Sequence, residues 1–127
     1  MNTTMKTAEL TGAALDWAVC EATGLLAAYT QFRTGKNFLK VWGVARNAHL
    51  HPSTNWAQGG LIIERELLMI EPVFWTVEGW HWVAYVLGPN NLDENYEQRG
   101  PTPLIAAMRC YVASKLGDTV DVPPELL

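Results

Sequence analysis

The stretch IEPVFWTVEGWHWVAYV, residues 70–86, decides the fold class. Aromatic and β-branched residues lie on both sides of the turn-forming pair Glu78-Gly79, which is the pattern of a β-hairpin. On the first arm Val73, Trp75 and Val77 alternate with Phe74 and Thr76; on the second, Trp80, Trp82, Ala84 and Val86 alternate with His81, Val83 and Tyr85. Both faces of the hairpin are therefore apolar, and such a sheet needs cover on both. Pro72 lacks the amide that a ladder uses, so it belongs at a strand start or a sheet edge.

The cover comes from helices on either side. Downstream, Thr102 is placed to cap a helix, Pro103 fills a first-turn position that needs no amide, Lys115 suits the negative end of the dipole and Gly117 ends it. Leu104, Ile105, Met108, Tyr111, Val112 and Leu116 form its apolar stripe. Upstream, TGAALDWAVCEATG, residues 11–24, reads as a helix capped by Thr11, stapled by Leu10 and Leu15 and closed by Gly24. Leu15, Ala18, Val19 and Ala22 face its core side, which leaves Asp16 and Glu21 on other faces.

Between them HPSTNWAQGGLIIERE, residues 51–66, predicts a helix capped at Ser53, with Trp56, Gly60, Ile63 and Leu67 on one face. Gly59 and Gly60 each cost a helix interior about 1 kcal/mol relative to alanine. Close packing, a bend or a ligand against the bare surface must offset that. Residues 25–51 are least regular, with a short strand expected over Phe38 to Val44; the tail 118–127 is expected to be extended. The pattern is that of one α+β domain spanning residues 1–127. A small, mainly antiparallel sheet around Phe74–Val77 and Trp80–Val86 is packed by three helices near 11–23, 53–67 and 102–116. Trp17, Trp56, Trp82, Leu104, Met108 and Val112 are expected in the core.

Charge and composition narrow the function classes. The net charge of −4 argues against nonspecific binding to duplex DNA. From Ala22 to Ile63 there is no acidic residue, and Arg33, Lys36, Lys40 and Arg46 give that segment +4 against −8 for the rest of the chain. It reads either as a solvated basic loop or as a local anion-binding surface. No apolar run approaches the about 18 residues of a membrane span, so no membrane association is expected. Cys20 and Cys110 fall in apolar helical patterns without metal-type spacing and read as buried reduced thiols, which fits a reducing cytoplasm.

Catalytic signatures are weak. His49-x-His51 lacks a third ligand nearby, no phosphate loop follows a strand, and Ser53 beside His51 has a sufficient role as a cap. The sequence therefore assigns no catalytic residue, no metal and no cofactor. A binding module is easier to build, because six tryptophans exceed what a small core needs and aromatic faces stack on flat rings.

Three segments, ELTGAALDWAV (9–19), PSTNWAQGGLIIERE (52–66) and GPTPLIAAMRCYVASKLGDTVDVP (100–123), resemble a family of small phage and prophage proteins, the NinX-like family. The third is the most specific. Asn55 stands where that family often has Asp, and Leu61 where it often has Pro, which favours an unbroken helix here. The layout is also similar to phage α-β-α sandwich domains. The resemblance implies phage origin, and hence the host bacterial cytoplasm, together with that fold; it carries over no catalytic residue.

The expected function is that of a phage accessory protein. It binds a small anionic, nucleotide-derived ligand, such as a bacterial antiphage signal, and sequesters it without turnover. Arg33, Lys36, Arg46 and Arg109 would meet phosphate. Trp42 or Trp56 would stack the ring, while Ser53, Thr54, Asn55 and Thr102 supply polar contacts and Gly59 and Gly60 leave room. The alternatives are a protein-interaction module that inhibits or modulates a host protein, and a small hydrolase acting on a nucleotide signal. Apolar strand faces and surplus tryptophans also fit a homo-oligomer, of a stoichiometry the sequence does not fix.

Overall fold

The computed structural model describes residues 2–23, 50–75, 79–86 and 96–127. In chain order these form β1 (Thr3–Lys6), a 3-10 turn, α1 (Gly12–Thr23), α2 (Trp56–Glu66), β2 (Met69–Trp75), β3 (Gly79–Tyr85), β4 (Gln98–Gly100), α3 (Pro103–Leu116) and β5 (Thr119–Val122). The expected strand over Phe38–Val44, the Gly24 stop and the hairpin residues Thr76, Val77 and Glu78 lie outside the described residues.

The α+β class holds, but the described strands form two small antiparallel sheets, one of order β2-β3-β4 and the other pairing β1 with β5. The hairpin arm starts at Met69, five residues before Phe74, and pairs in register from Met69↔Tyr85 to Trp75↔Gly79. Gly79 adopts φ +77°, a conformation that favours glycine where the chain re-enters the sheet. Pro72 lies in β2, an edge strand, where its missing amide costs no central ladder bond.

Helix α3 is the centre of the molecule. It packs against α1, α2 and the β2-β3-β4 sheet, and Leu104, Ala106, Ala107, Met108, Cys110, Tyr111, Val112 and Ala113 are all buried on it. Three alanines among these allow neighbours to come close: a Cβ on Gly100 would lie 2.8 Å from the Ala106 amide nitrogen. Leu116, placed on the core stripe by its spacing, is instead 37% exposed, at the last residue of the helix.

The tail is extended only over Thr119–Val122, where it pairs as Thr3↔Val122 through Lys6↔Thr119. The expectation of an extended segment to 127 is corrected by a 3-10 turn, Pro124–Leu126, which a proline can open because its first position needs no amide. Thr7 locks this junction, its hydroxyl donating to the Gly117 carbonyl at 2.6 Å and its amide to the Asp118 carbonyl at 2.7 Å. Thr7 is fully buried, so both bonds stand in a low-dielectric site.

Helix α1 buries every residue from Ala14 to Cys20, Asp16 included. The expectation that Asp16 lies off the buried face is thus corrected: its Oδ1 accepts the Ser53 amide at 2.9 Å, a satisfied buried carboxylate. Cys20 and Cys110 are buried free thiols, and burial, joined at Cys20 by the charge of Asp16, pushes each up to about 12. Both thiols are expected to resist a disulfide reagent at about pH 8 until denaturant is added, since the thiolate is the reactive form. Immediate labelling of the native protein would contradict that burial.

Candidate anion-binding site

Two helices begin side by side. In the first, the His51 carbonyl accepts the amides of Thr54 and Asn55 at 3.1 and 2.9 Å, closing a turn over residues 52–54. Asp16 then holds the Ser53 amide. That fixes Ser53 inside the turn, and the N-cap of α2 is Asn55, whose side chain accepts from the Ala57 amide at 2.9 Å. The helix thus starts two residues later than the Ser53 cap implies. Asn caps as well as Asp, so the departure at position 55 leaves the capping role intact. Helix α2 runs unbroken through Leu61, as that residue suggests.

In the second, Thr102 caps α3, its hydroxyl accepting the Ile105 amide at 3.1 Å, with Pro103 in the first turn. Ser53, Thr54 and Trp56 from one start and Thr102, Pro103, Leu104 and Ile105 from the other line a single pocket of about 230 Å³. The caps take the amides of Ala57, Gln58, Gly59, Ile105 and Ala106. Among the described residues they leave without a partner those of Trp56 and Leu104, two residues that line the pocket.

Neither first turn carries an acidic residue of its own, so two positive dipole ends meet here; the Asp16 carboxylate, held on the Ser53 amide, is the one negative group established beside them among the described residues. Ser53 is 2% exposed, and its hydroxyl finds no hydrogen-bond partner among the described residues. A buried polar group without a partner is rare enough to call for a reason.

The glycine pair divides between two roles. A Cβ on Gly59 would collide with the Pro52 carbonyl oxygen and lie 2.6 Å from Leu104 Cδ2, so Gly59 serves close packing. At Gly60 the nearest atom is Trp56 Cε3 at 3.9 Å, which is ordinary contact. Because Gly59 packs inward, α2 buries the Gly59 and Ile62 face. Trp56 and Leu67, expected on the buried face, are 56% and 79% exposed. Trp82 is only partly buried, whereas Trp17, Leu104, Met108 and Val112 lie in the core as expected.

Of the residues singled out in the sequence, the structure gathers Ser53, Thr54, Trp56 and Thr102, with Asn55 and Gly60 adjoining. Arg109 is not among them. It lies in a second cleft of about 860 Å³ with Trp80, His81, Gln98 and Arg99, residues the sequence reading did not select. The one signal for them was a histidine interrupting an apolar strand. Arg33, Lys36, Trp42 and Arg46 lie outside the described residues.

Fold and pocket together define a small α+β domain with a pocket built from two helix amino ends. The chain belongs to the Bacteriophage P22, NinX family, which it matches over residues 6–115, a span that includes both walls of the pocket. It is a phage protein. No curated protein matches it. No described helix is long and apolar enough to cross a membrane.

Proposed function

We propose that this phage protein binds a small anionic, nucleotide-derived ligand in the host bacterial cytoplasm and sequesters it, as a sponge for a bacterial antiphage signal, without turnover. The observation that supports this most is the meeting of the two helix starts at one pocket, with free first-turn amides, no acidic residue in either first turn and a ring at its edge. At about 230 Å³ the pocket is smaller than a site that encloses a whole drug-sized ligand. It suits the charged end of a ligand, a phosphate, with the ring lying outside against the exposed Trp56. In this reading Thr54, Asn55, Thr102 and the Ser53 hydroxyl supply polar contacts. Arg33, Lys36 and Arg46 add charge from the basic segment, where Trp42 offers a second ring.

The test is thermal shift and calorimetry against cyclic oligonucleotides and ADP-ribose-type molecules, with the bound ligand recovered by heating and chromatographed. A ligand at a hundredfold excess over its Kd is expected to stabilise the fold by about 2.7 kcal/mol. Trp56→Ala, at an exposed position, is expected to weaken binding at least about tenfold, a loss of roughly 1.4 kcal/mol. Intact recovered ligand supports sequestration, and a cleaved product transfers the protein to the hydrolase reading. Retention of a host protein at high salt, with no nucleotide effect, favours the interaction module. No binding at about 100 μM across the panel sinks the proposal.

A further inference from the structure

The second cleft asks a separate question of one residue. Arg109 projects from the half-buried side of α3, donating from Nε to the Leu10 carbonyl at 2.8 Å and from Nη1 to the Arg99 carbonyl at 2.7 Å. Both acceptors are neutral. Among the described residues no carboxylate lies within ion-pair distance of it. Burial alone pulls the guanidinium below its ordinary pKa, with no carboxylate working in the other direction. A partly desolvated charge is costly unless it is paired.

The surroundings raise the positive charge further. Arg99 enters the same cleft, reaching His81 Nε2 at 2.8 Å and Glu97 only at 4.0 Å. An arginine can only donate, so Nε2 of His81 takes the acceptor role. Among the described residues, two guanidinium groups and one carboxylate, Glu97, line this cleft. Trp80, on the cleft wall, is 66% exposed and rests on Phe74 with ring centroids 5.1 Å apart, which holds its indole while leaving it open. The cleft, at about 860 Å³, falls in the size range of small-molecule sites.

We propose that this cleft is a second binding site, separate from the two-helix pocket, for a small acid carried on a flat ring: a ring-bearing phosphate or carboxylate whose acid group meets Arg109 and whose ring lies on Trp80. Among the described residues, two of the five guanidinium N–H groups are held by carbonyls, which leaves three for the acid, the planar fork that carboxylate and phosphate both match. The same two carbonyl bonds fix the fork in advance, so little side-chain freedom is lost on binding. The proposal stands on residues other than those of the proposed function, and either can fail alone.

The test uses AMP and nicotinate as probes, with adenosine and nicotinamide as their uncharged counterparts, read by tryptophan fluorescence and calorimetry on the full chain. AMP or nicotinate is expected to bind at least tenfold more tightly than its neutral counterpart, and the larger of the two ratios tells whether the cleft prefers phosphate or carboxylate. Trp80→Ala and Arg109→Lys are each expected to weaken that binding at least tenfold. Trp56→Ala, in the other pocket, is expected to leave it unchanged. Arg109→Lys gives up a carbonyl bond, so its melting temperature is measured alongside; Trp80→Ala, at an exposed site, carries the test if that variant unfolds. Absence of binding by both acids, equal binding of the neutral counterparts, or acid binding that survives Trp80→Ala each overturns the proposal. Loss of acid binding in Trp56→Ala also overturns it, by moving the ligand to the two-helix pocket.

Discussion

Gly59→Ala is expected to destabilise the fold by about 3 kcal/mol or more, the upper end of what overpacking costs, while Gly60→Ala, one residue away, is expected to stabilise it by up to about 1 kcal/mol. The two substitutions make the same local gain, since alanine is the better helix former at both positions. What differs is the space. The Cβ at position 59 meets the Pro52 carbonyl oxygen and Leu104 Cδ2; the Cβ at position 60 meets only Trp56 Cε3 at 3.9 Å. Leu104 can turn aside, but the Pro52 carbonyl belongs to the turn that His51 and Asp16 hold. Relief therefore requires α2 to move away from that turn. Urea denaturation of the two variants measures the contrast, and equal effects of the same sign would show that α2 does not approach that turn as described.

Met108→Ala and Leu104→Ala are each expected to cost roughly 2–5 kcal/mol, as truncations of buried side chains do when the surroundings cannot collapse. Met108 is fully buried and Leu104 is 3% exposed, both on the helix that α1, α2 and a sheet share. Met108 belongs to the main core cluster, so its truncation removes apolar contacts from that core. Losses below about 1 kcal/mol, at unchanged denaturant slope, would displace α3 from the centre of the core. Leu104 also gives a coupling: the double variant with Gly59→Ala is expected to cost less than the sum of the two, because alanine at 104 removes one of the two obstacles at 59.

The elements legible in the sequence share one property, locality. The hairpin follows from apolar alternation around a turn and pairs within 17 residues, Met69 to Tyr85. Helix α3 follows from Thr102, Pro103 and Gly117, each acting on its own turn. What escaped the reading depends on partners far along the chain. Strand β1, TTMK, shows no apolar alternation and becomes a strand because β5, more than a hundred residues later, offers it a ladder. The position of the α2 cap is a closer case. Ser53 and Asn55 are equally good caps, and local rules cannot choose between them. Asp16, on another helix, chooses by accepting the Ser53 amide and so fixing the turn before Asn55.

The candidate site shows the same division. Ser53, Thr54, Trp56 and Thr102 can each be named from capping and aromatic patterns, yet nothing in their spacing says that two helix starts share one pocket. Trp56 looks like core on a helical wheel; Gly59, packed on Pro52 and Leu104, turns that wheel and puts the indole in solvent. By itself, then, the sequence determined the membership in a phage family and, from local signals, the α+β class, the hairpin, the start of α1 and the extent of α3. These rest on interactions within a few residues, whose energies are present in any fold the chain adopts. The second sheet, the face α2 buries, the burial of Asp16 and the separation of Arg109 from the helix-end pocket were decided only by tertiary structure. Each is set by steric exclusion or a single hydrogen bond between distant segments, and such terms exist only after the helices have packed.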